Sequence, residues 1–419
     1  MFLHARLVAL GGRGARVRRL GGSRAGEMRI TRFLHNRRVS VAEMVASAAT
    51  RTAGRLAGRH VVAIQDTTSV REQPAAGRSV VLHPTIAVDG ETGALLGLMH
   101  AGLLVRSGGQ RQARKQRGIA DKQSRRWLDG TREAARLCAA GGAASVTVIA
   151  DREGDIYEEF ALRPADVDLV IRAAQDRKLS DGSRLFAATA ALPEGGRLEV
   201  AVPAAPGRAA RRAQLALRWR AVAIARPHNR AAAAGLPDEV ALTLVEACEV
   251  EPPANATPAH WRLLTTHAIA DLAAARSILE LYRQRWTIEQ LFRVLKTKGF
   301  DIEASRIVDG GPFEKFAAAA LIAAVTVQQL VRDRDGVAQR PLDDALDPND
   351  RPALEAVCAT LEGKTQKQKN PHPPGSLAFA AWVFARLGGW TGYYGKPGPV
   401  VILQGLLRFN DIKQGYDLT

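Results

Sequence analysis

Cysteine is scarce. Cys138, Cys248 and Cys358 lie far apart, and none falls in a CxxC or Cys/His spacing. That excludes a disulfide framework and a cysteine-built zinc site, and it fits a reducing compartment. Long apolar runs are missing as well: no stretch reaches the ~18 residues that a membrane-crossing helix needs. FAAAALIAAVTVQQL (Phe316–Leu330) comes nearest, and as an Ala-rich run behind Glu314 and Lys315 it reads as a buried core helix. Acid is in deficit, with 42 Asp+Glu against 59 Lys+Arg and a net charge of +17. Such a surface attracts polyanions, of which nucleic acid is the commonest. The plainer reading is a protein that is simply rich in arginine. The first 26 residues, MFLHARLVALGGRGARVRRLGGSRAG, hold no acid at all. Their composition resembles a transit peptide, but the glycines would interrupt the amphipathic helix, so a loosely ordered basic arm is expected. No internal repeat is visible.

What is present is an ordinary globular balance, 46% hydrophobic and 24% charged, in a chain of 419 residues, enough for two or three domains. Glu27 to His60 reads as helical, with RVSVAEMVASAATRTAGRLAG apolar at helical spacing before a glycine stop. HVVAIQDTTS is a buried strand carrying Asp66 at its C-terminal end, and Val80–Val105 is a pair of strands joined by DGETG. GGQRQARKQRGIADKQSRRWLDGTREAARLCAAG is basic, then helical to about Leu137, and ASVTVIAD is a second buried strand, ending at Asp151. From Asp168 to His267, strand-like pieces alternate with Pro, Gly and Arg-rich turns. Helical periodicity resumes at Ile269 and dominates beyond Asp301, around a polar linker at Leu361–Ser376. The expected divisions are 1–60, a basic arm and a short helical region; 61–167, the first part of an α/β core; 168–267, a β-rich insertion; 268–325, the second part of the core; and 326–419, a helical region that could dimerise.

The chemistry gathers at strand ends, where α/β sheets usually collect ligand-binding groups. Asp66 follows VVAI and Asp151 follows VTVIA, each among polar neighbours. Taken singly, each aspartate reads more readily as a turn or helix N-cap. Taken together on adjacent strands they would meet, and their repulsion would be relieved by a cation; hard oxygen donors suit Mg²⁺. YRQRWTIEQLFRVLKTKG (Tyr282–Gly299) is an amphipathic helix. At about 100° per residue, Tyr282, Arg285, Glu289 and Lys296 fall within a sector of roughly 60° beside the apolar Leu281, Ile288, Leu291, Phe292 and Leu295. A solvated i,i+4 pair accounts for Arg285 and Glu289 but not for Tyr282 and Lys296 on the same line. Three carboxylates on two strands and a helix are what two-metal phosphoryl transfer requires, and flanking cations would neutralise phosphate. Glu153 and Asp155 read as helix-start acids, and His83 and His100 as strand residues without chemical interest.

On these residues the chain resembles the DDE transposases of the insertion-sequence-4 type. YRQRWTIEQLFRVLK fits Y-x2-R-x3-E-x6-K, IQDTTSV and VIADREGDIYEEF are similar to the family's two aspartate motifs, and the gap before Glu289 matches its β-rich insertion. HNRRVSVAEM and LQGLLRFNDIKQGYDL resemble the segments that flank the core, so the likeness spans about Gly21 to Thr419. It implies a ribonuclease-H-like mixed-sheet core within an α/β fold, two Mg²⁺ ions (or Mn²⁺), and cut-and-paste transposition through hairpin ends. The implied partners are transposon-end and target duplex DNA and a second copy of the chain, in a bacterial cytoplasm at the nucleoid. Carried over, Asp66, Asp151 and Glu289 form the metal-binding triad; Tyr282, Arg285 and Lys296 contact DNA, with Arg152 and Arg293 as further DNA contacts. Trp261 matches a tryptophan that stacks on a flipped base, with a core role equally open; Trp286 matches a second aromatic, with a core role favoured. The region ahead of HNRRVS is shorter than the family's usual DNA-binding domain. Two alternatives stay open: a ribonuclease-H-like nuclease without strand transfer, and an inactive or truncated DNA-binding remnant.

Overall fold

The computed structural model describes residues 2–73, 78–107, 124–202, 210–227, 235–254, 257–296, 299–393 and 395–416. Four N-terminal helices come first: α1 (Phe2–Leu10), α2 (Val17–Gly21), α3 (Arg24–His35) and α4 (Val41–Ala53). A Ser40–Glu43 capping box satisfies the orphan amides at the start of α4. The expected loose arm is therefore a correction. Leu3, Leu7, Leu10 and Leu20 are buried, and α1 packs on two later helices of the C-terminal half. The glycines that suggested looseness are instead points of close approach. A Cβ on Gly26 would lie 2.1 Å from the Gly21 carbonyl oxygen, and one on Gly11 would lie 2.3 Å from the Phe300 ring.

The sheet is built from β1 (His60–Gln65), β2 (Thr68–Gln73), β3 (Arg78–Asp89), β4 (Leu95–Ser107), β5 (Ser145–Ala150) and β6 (Val167–Arg172), with α5 (Arg125–Ala140) between β4 and β5 and α6 (Tyr157–Leu162) between β5 and β6. Strands β7 (Gly196–Val202), β8 (Arg211–Ala225), β9 (Glu239–Glu249) and β10 (His260–Thr265) complete it. Its order is β2-β3-β1-β5-β6-β10-β9-β8-β7, with β4 on the far side of β3. β1, β5 and β6 run parallel, β3 is antiparallel to β1 and β4, and β10 is antiparallel to β6. This mixed α/β sheet with covering helices fits the ribonuclease-H-like core that the resemblance implies. One strand was unforeseen: β2 continues the line of β1 along β3 after a two-residue break at Asp66–Thr67. The basic stretch 108–123 lies outside the described residues.

Both faces of the parallel strands are covered, which is why they read as continuous apolar runs. Val62 and Ile64 point into one core and Val61 and Ala63 into the other; in β5, Ile149 and the pair Val148 and Ala150 divide the same way. Helix α5 closes one face. The other is closed by α7 (Leu272–Arg283), α8 (Trp286–Leu295) and α9 (Gly310–Asp333). Helix α9 is long and apolar enough to cross a membrane by composition, but most of it is buried against α1, α4, β4 and α8, as expected of a core helix. Helices α10 (Arg351–Leu361), α11 (Leu377–Leu387) and α12 (Pro399–Tyr416) finish the chain.

Candidate active site

Parallel pairing of β1 with β5 sets Ile64 against Ile149. Asp66 and Asp151 each follow two residues later, so the two carboxylates leave the same edge of the sheet side by side. Asp66 accepts from the Thr67 amide at 2.7 Å and Asp151 from the Glu153 amide at 2.8 Å. The turn role was thus real for both, and it aims the acids as well as capping the chain. The Asp66 carboxyl is pushed up to about 7, chiefly by burial and then by the neighbouring Asp151 charge, with Glu289 adding to it; the Thr67 amide and Arg285 pull the other way.

Glu289 arrives on α8 and is tied to Asp66 through Arg285. The Arg285 guanidinium donates to Asp66 Oδ2 at 3.2 Å and to Glu289 Oε1 at 2.5 Å. Its side chain is only 12% exposed, so these are sheltered charge-assisted bonds. Burial works against the Arg285 charge, but Tyr282, Glu289 and Asp66 outweigh it and raise its pKa.

The expected single helix is two. At the α7–α8 junction the amides of Gln284, Arg285, Thr287 and Ile288 bond three residues back, a tightened 3₁₀-like turn. The tighter winding spoils a 100° projection carried across it. Tyr282 is consequently buried at 5% exposure instead of lying on the wet border. Its ring meets Trp261 edge-on, with centroids 6.2 Å apart. Its hydroxyl makes no well-aligned hydrogen bond among the described residues, although Arg172 and Arg285 both face it.

Lys296 leaves the line too. It sits beyond the end of α8 in extended conformation and pairs with Glu303 at 3.2 Å. Arg152 and Arg293 are exposed. Trp261 is half-buried on β10, and Trp286, for which a core role was favoured, is 47% exposed with Arg285 beside its ring.

Asp155 is a further correction. It starts no helix; it is fully buried and holds the chain after β6, accepting from the amides of Ala174 and Gln175 and pairing with Arg177 at 2.6 Å. Glu153 does lie at a helix start, in the short 3₁₀ turn Arg152–Gly154 that Asp151 caps, and it also pairs with Arg126 at 2.9 Å. Two groups were missed. Arg172 ends β6, the strand beside β5, and the strand-end rule that found Asp66 and Asp151 reaches it as well. His83 was set aside as an uninteresting strand residue, yet β3 pairs Thr85 with Gln65 and Leu82 with Thr68, which brings His83 opposite the Asp66–Thr67 break.

The donors at this edge are carboxylate oxygens, the chemistry that hard divalent ions take, and the raised Asp66 carboxyl marks charge that a cation would relieve. As placed, no three acids or histidines among the described residues stand close enough to hold an ion. Arg285 is the reason for Glu289: it stands between that acid and Asp66. Residues 57–326 match a family model described as a transposase DDE domain, and that span begins just before β1 and ends within α9.

Proposed function

Since the chain belongs to the transposase DDE domain family, we infer that it is an insertion-sequence-4-type enzyme that cuts DNA at transposon ends, forms hairpins there and joins the ends to target DNA. The observation that carries this is Arg285 linking Asp66 and Glu289 at the sheet edge where Asp151 also emerges. Asp66 and Asp151 would hold divalent ions, Mg²⁺ by choice of donor, with Glu289 joining once Arg285 turns from it toward a phosphate. When bound, the ions would activate the attacking oxygen and stabilise the leaving one. Around them the chain's own residues position DNA. Arg285 and Arg172 carry positive charge at the lip, Tyr282 is fixed between them and Trp261, and exposed Trp286, Arg152 and Arg293 border the opening. Lys296 would reach DNA only by leaving Glu303. We read the working unit as a dimer on two ends, acting in the cytoplasm on the DNA of the nucleoid.

The test is Mg²⁺-dependent nicking of a duplex carrying the element's end, followed by product analysis. Hairpins and joined products are expected from the wild type and none from Asp151→Asn. Full activity in Asp151→Asn would end the triad assignment, while nicks without hairpins or joining would favour the nuclease reading.

A further inference from the structure

Behind Asp66 runs a file of polar side chains. Arg126, on α5, donates from Nε to Thr67 Oγ1 at 3.2 Å. The Thr67 hydroxyl lies 2.9 Å from His83 Nδ1, and His83 Nε2 lies 3.2 Å from Gln65 Oε1. Gln65 Nε2 donates to Thr131 Oγ1 at 3.0 Å, and the Thr131 hydroxyl donates to Glu159 Oε1. Gln65, His83, Thr131 and Glu159 are each 0% exposed.

The Glu159 end sets the direction of the bonds. Glu159 Oε1 accepts from the Thr131 hydroxyl, whose oxygen accepts from Gln65 Nε2, so Gln65 turns to His83 a carbonyl oxygen that only accepts. His83 Nε2 therefore carries a hydrogen directed at Gln65, and in a neutral ring Nδ1 accepts from the Thr67 hydroxyl, whose oxygen still accepts from Arg126. Burial, which holds the His83 pKa well below its ordinary value, agrees with a neutral ring. Trp127 meets His83 edge-on at 4.6 Å, and Gly130 leaves room for the amide: a Cβ there would lie 2.4 Å from Gln65 Oε1.

The file grips Gln65 and Thr67, the residues on either side of Asp66, where the ladder along β3 is interrupted between β1 and β2. Arg126 also holds Glu153, whose amide donates to Asp151, so the same side chain touches both lips of the site. We propose that this file, centred on His83, is a positioning device that fixes Asp66 for divalent-ion binding. His83 and Thr67 act through Asp66 and are not themselves ligands. Outer partners of ligating carboxylates orient them and set affinity, and fully satisfied buried networks rigidify what they hold. The inference rests on the reading of Asp66 as a metal ligand.

The test measures Mn²⁺ binding to the full-length protein without DNA, by loss of the free-ion electron-spin-resonance signal, with urea unfolding alongside. Asp66→Asn comes first. If it leaves Mn²⁺ binding unchanged, the ligand reading is overturned and the inference goes with it. Given that Asp66→Asn removes binding, His83→Leu and Thr67→Val are expected to weaken it by about tenfold, and Thr67→Ser to recover most of the affinity. Wild-type affinity in Thr67→Val overturns the positioning role alone, as does an equal loss in Thr67→Ser. Should His83→Leu fail to fold, the half-buried Thr67 pair still decides, because Val keeps the shape and Ser keeps the hydroxyl.

Discussion

Asp66 and Asp151 stand level with each other, two residues beyond the paired Ile64 and Ile149 of neighbouring parallel strands. Parallel pairing makes this unavoidable: strands in register that end together deliver their next side chains to one edge. Two like charges there raise each other's energy, and the Asp66 carboxyl, already disfavoured by burial, carries the visible shift. The protein compensates with Arg285, which also engages Glu289.

Removing that guanidinium should expose the conflict. Arg285→Met leaves Asp66 and Glu289 without their shared partner in a sheltered site, and a loss of about 3 kcal/mol of stability is expected. Urea unfolding with and without Mg²⁺ checks it. The ion should restore part of the loss, and Mn²⁺ binding without DNA should tighten because the internal competitor is gone. A variant as stable as the wild type and indifferent to Mg²⁺ would sink this account.

Tyr282 separates ring from hydroxyl. The ring is buried against Trp261, so Tyr282→Ala should cost about 3–5 kcal/mol, the usual range for emptying a large aromatic site. Tyr282→Phe keeps the ring and removes a hydroxyl with no aligned hydrogen bond, so stability should move by no more than about 1 kcal/mol. Lower DNA cleavage in Tyr282→Phe at unchanged stability would assign the hydroxyl to DNA. Unchanged cleavage would leave the residue a packing role.

Trp286 is half exposed on the first turn of α8. Trp286→Ala should therefore change unfolding stability by only about 0.5 kcal/mol. If the indole stacks on a displaced base, end binding or hairpin formation should weaken by the equivalent of about 1–3 kcal/mol. Band-shift and hairpin assays read this directly, and a wild-type result in both removes the stacking role.

His4 predicts a pH effect far from the site. Burial, followed by the Arg51 charge, lowers its pKa from 6.5 to about 4, and its Nε2 lies 3.2 Å from Thr326 Oγ1. A histidine with a depressed folded-state pKa takes up its proton more readily when unfolded. Stability is therefore lost as pH falls through the window from 6.5 to about 4. Between pH 7 and pH 5 the His4 share is about 2 kcal/mol. Buried Glu159 and Asp333, pushed up to about 7 and about 6, act in the opposite sense, so the effect must be read as a difference. His4→Gln should lose less stability than the wild type on acidification; identical slopes would rule out the buried neutral histidine as a source.

Much of this was legible along the chain because its causes are local. VVAIQD and VTVIAD announce buried strands ending in acids through β-branched runs covered on both faces. DGETG announces the β3–β4 turn, where Gly93 adopts a positive φ of 69°. Those patterns placed Asp66 and Asp151, and motif spacing placed Glu289.

Other features depended on groups brought together from distant parts of the chain. Periodicity assumes uniform winding and no end, so it could not see the tightened turn that buries Tyr282, nor the stop of α8 at Leu295 that frees Lys296 to pair with Glu303. Composition counts glycines without their neighbours, so it mistook close packing against Phe300 for looseness. His83 reads as one more strand residue until β3 sets it beside Thr67 and Gln65. By itself, the order of residues determined where the sheet's acids emerge, because strand patterning is local. Only the tertiary structure decided which cation faces Asp66 and which side chain braces Thr67 beside it, because Arg285 and His83 are more than 15 residues away in the chain and meet them through packing.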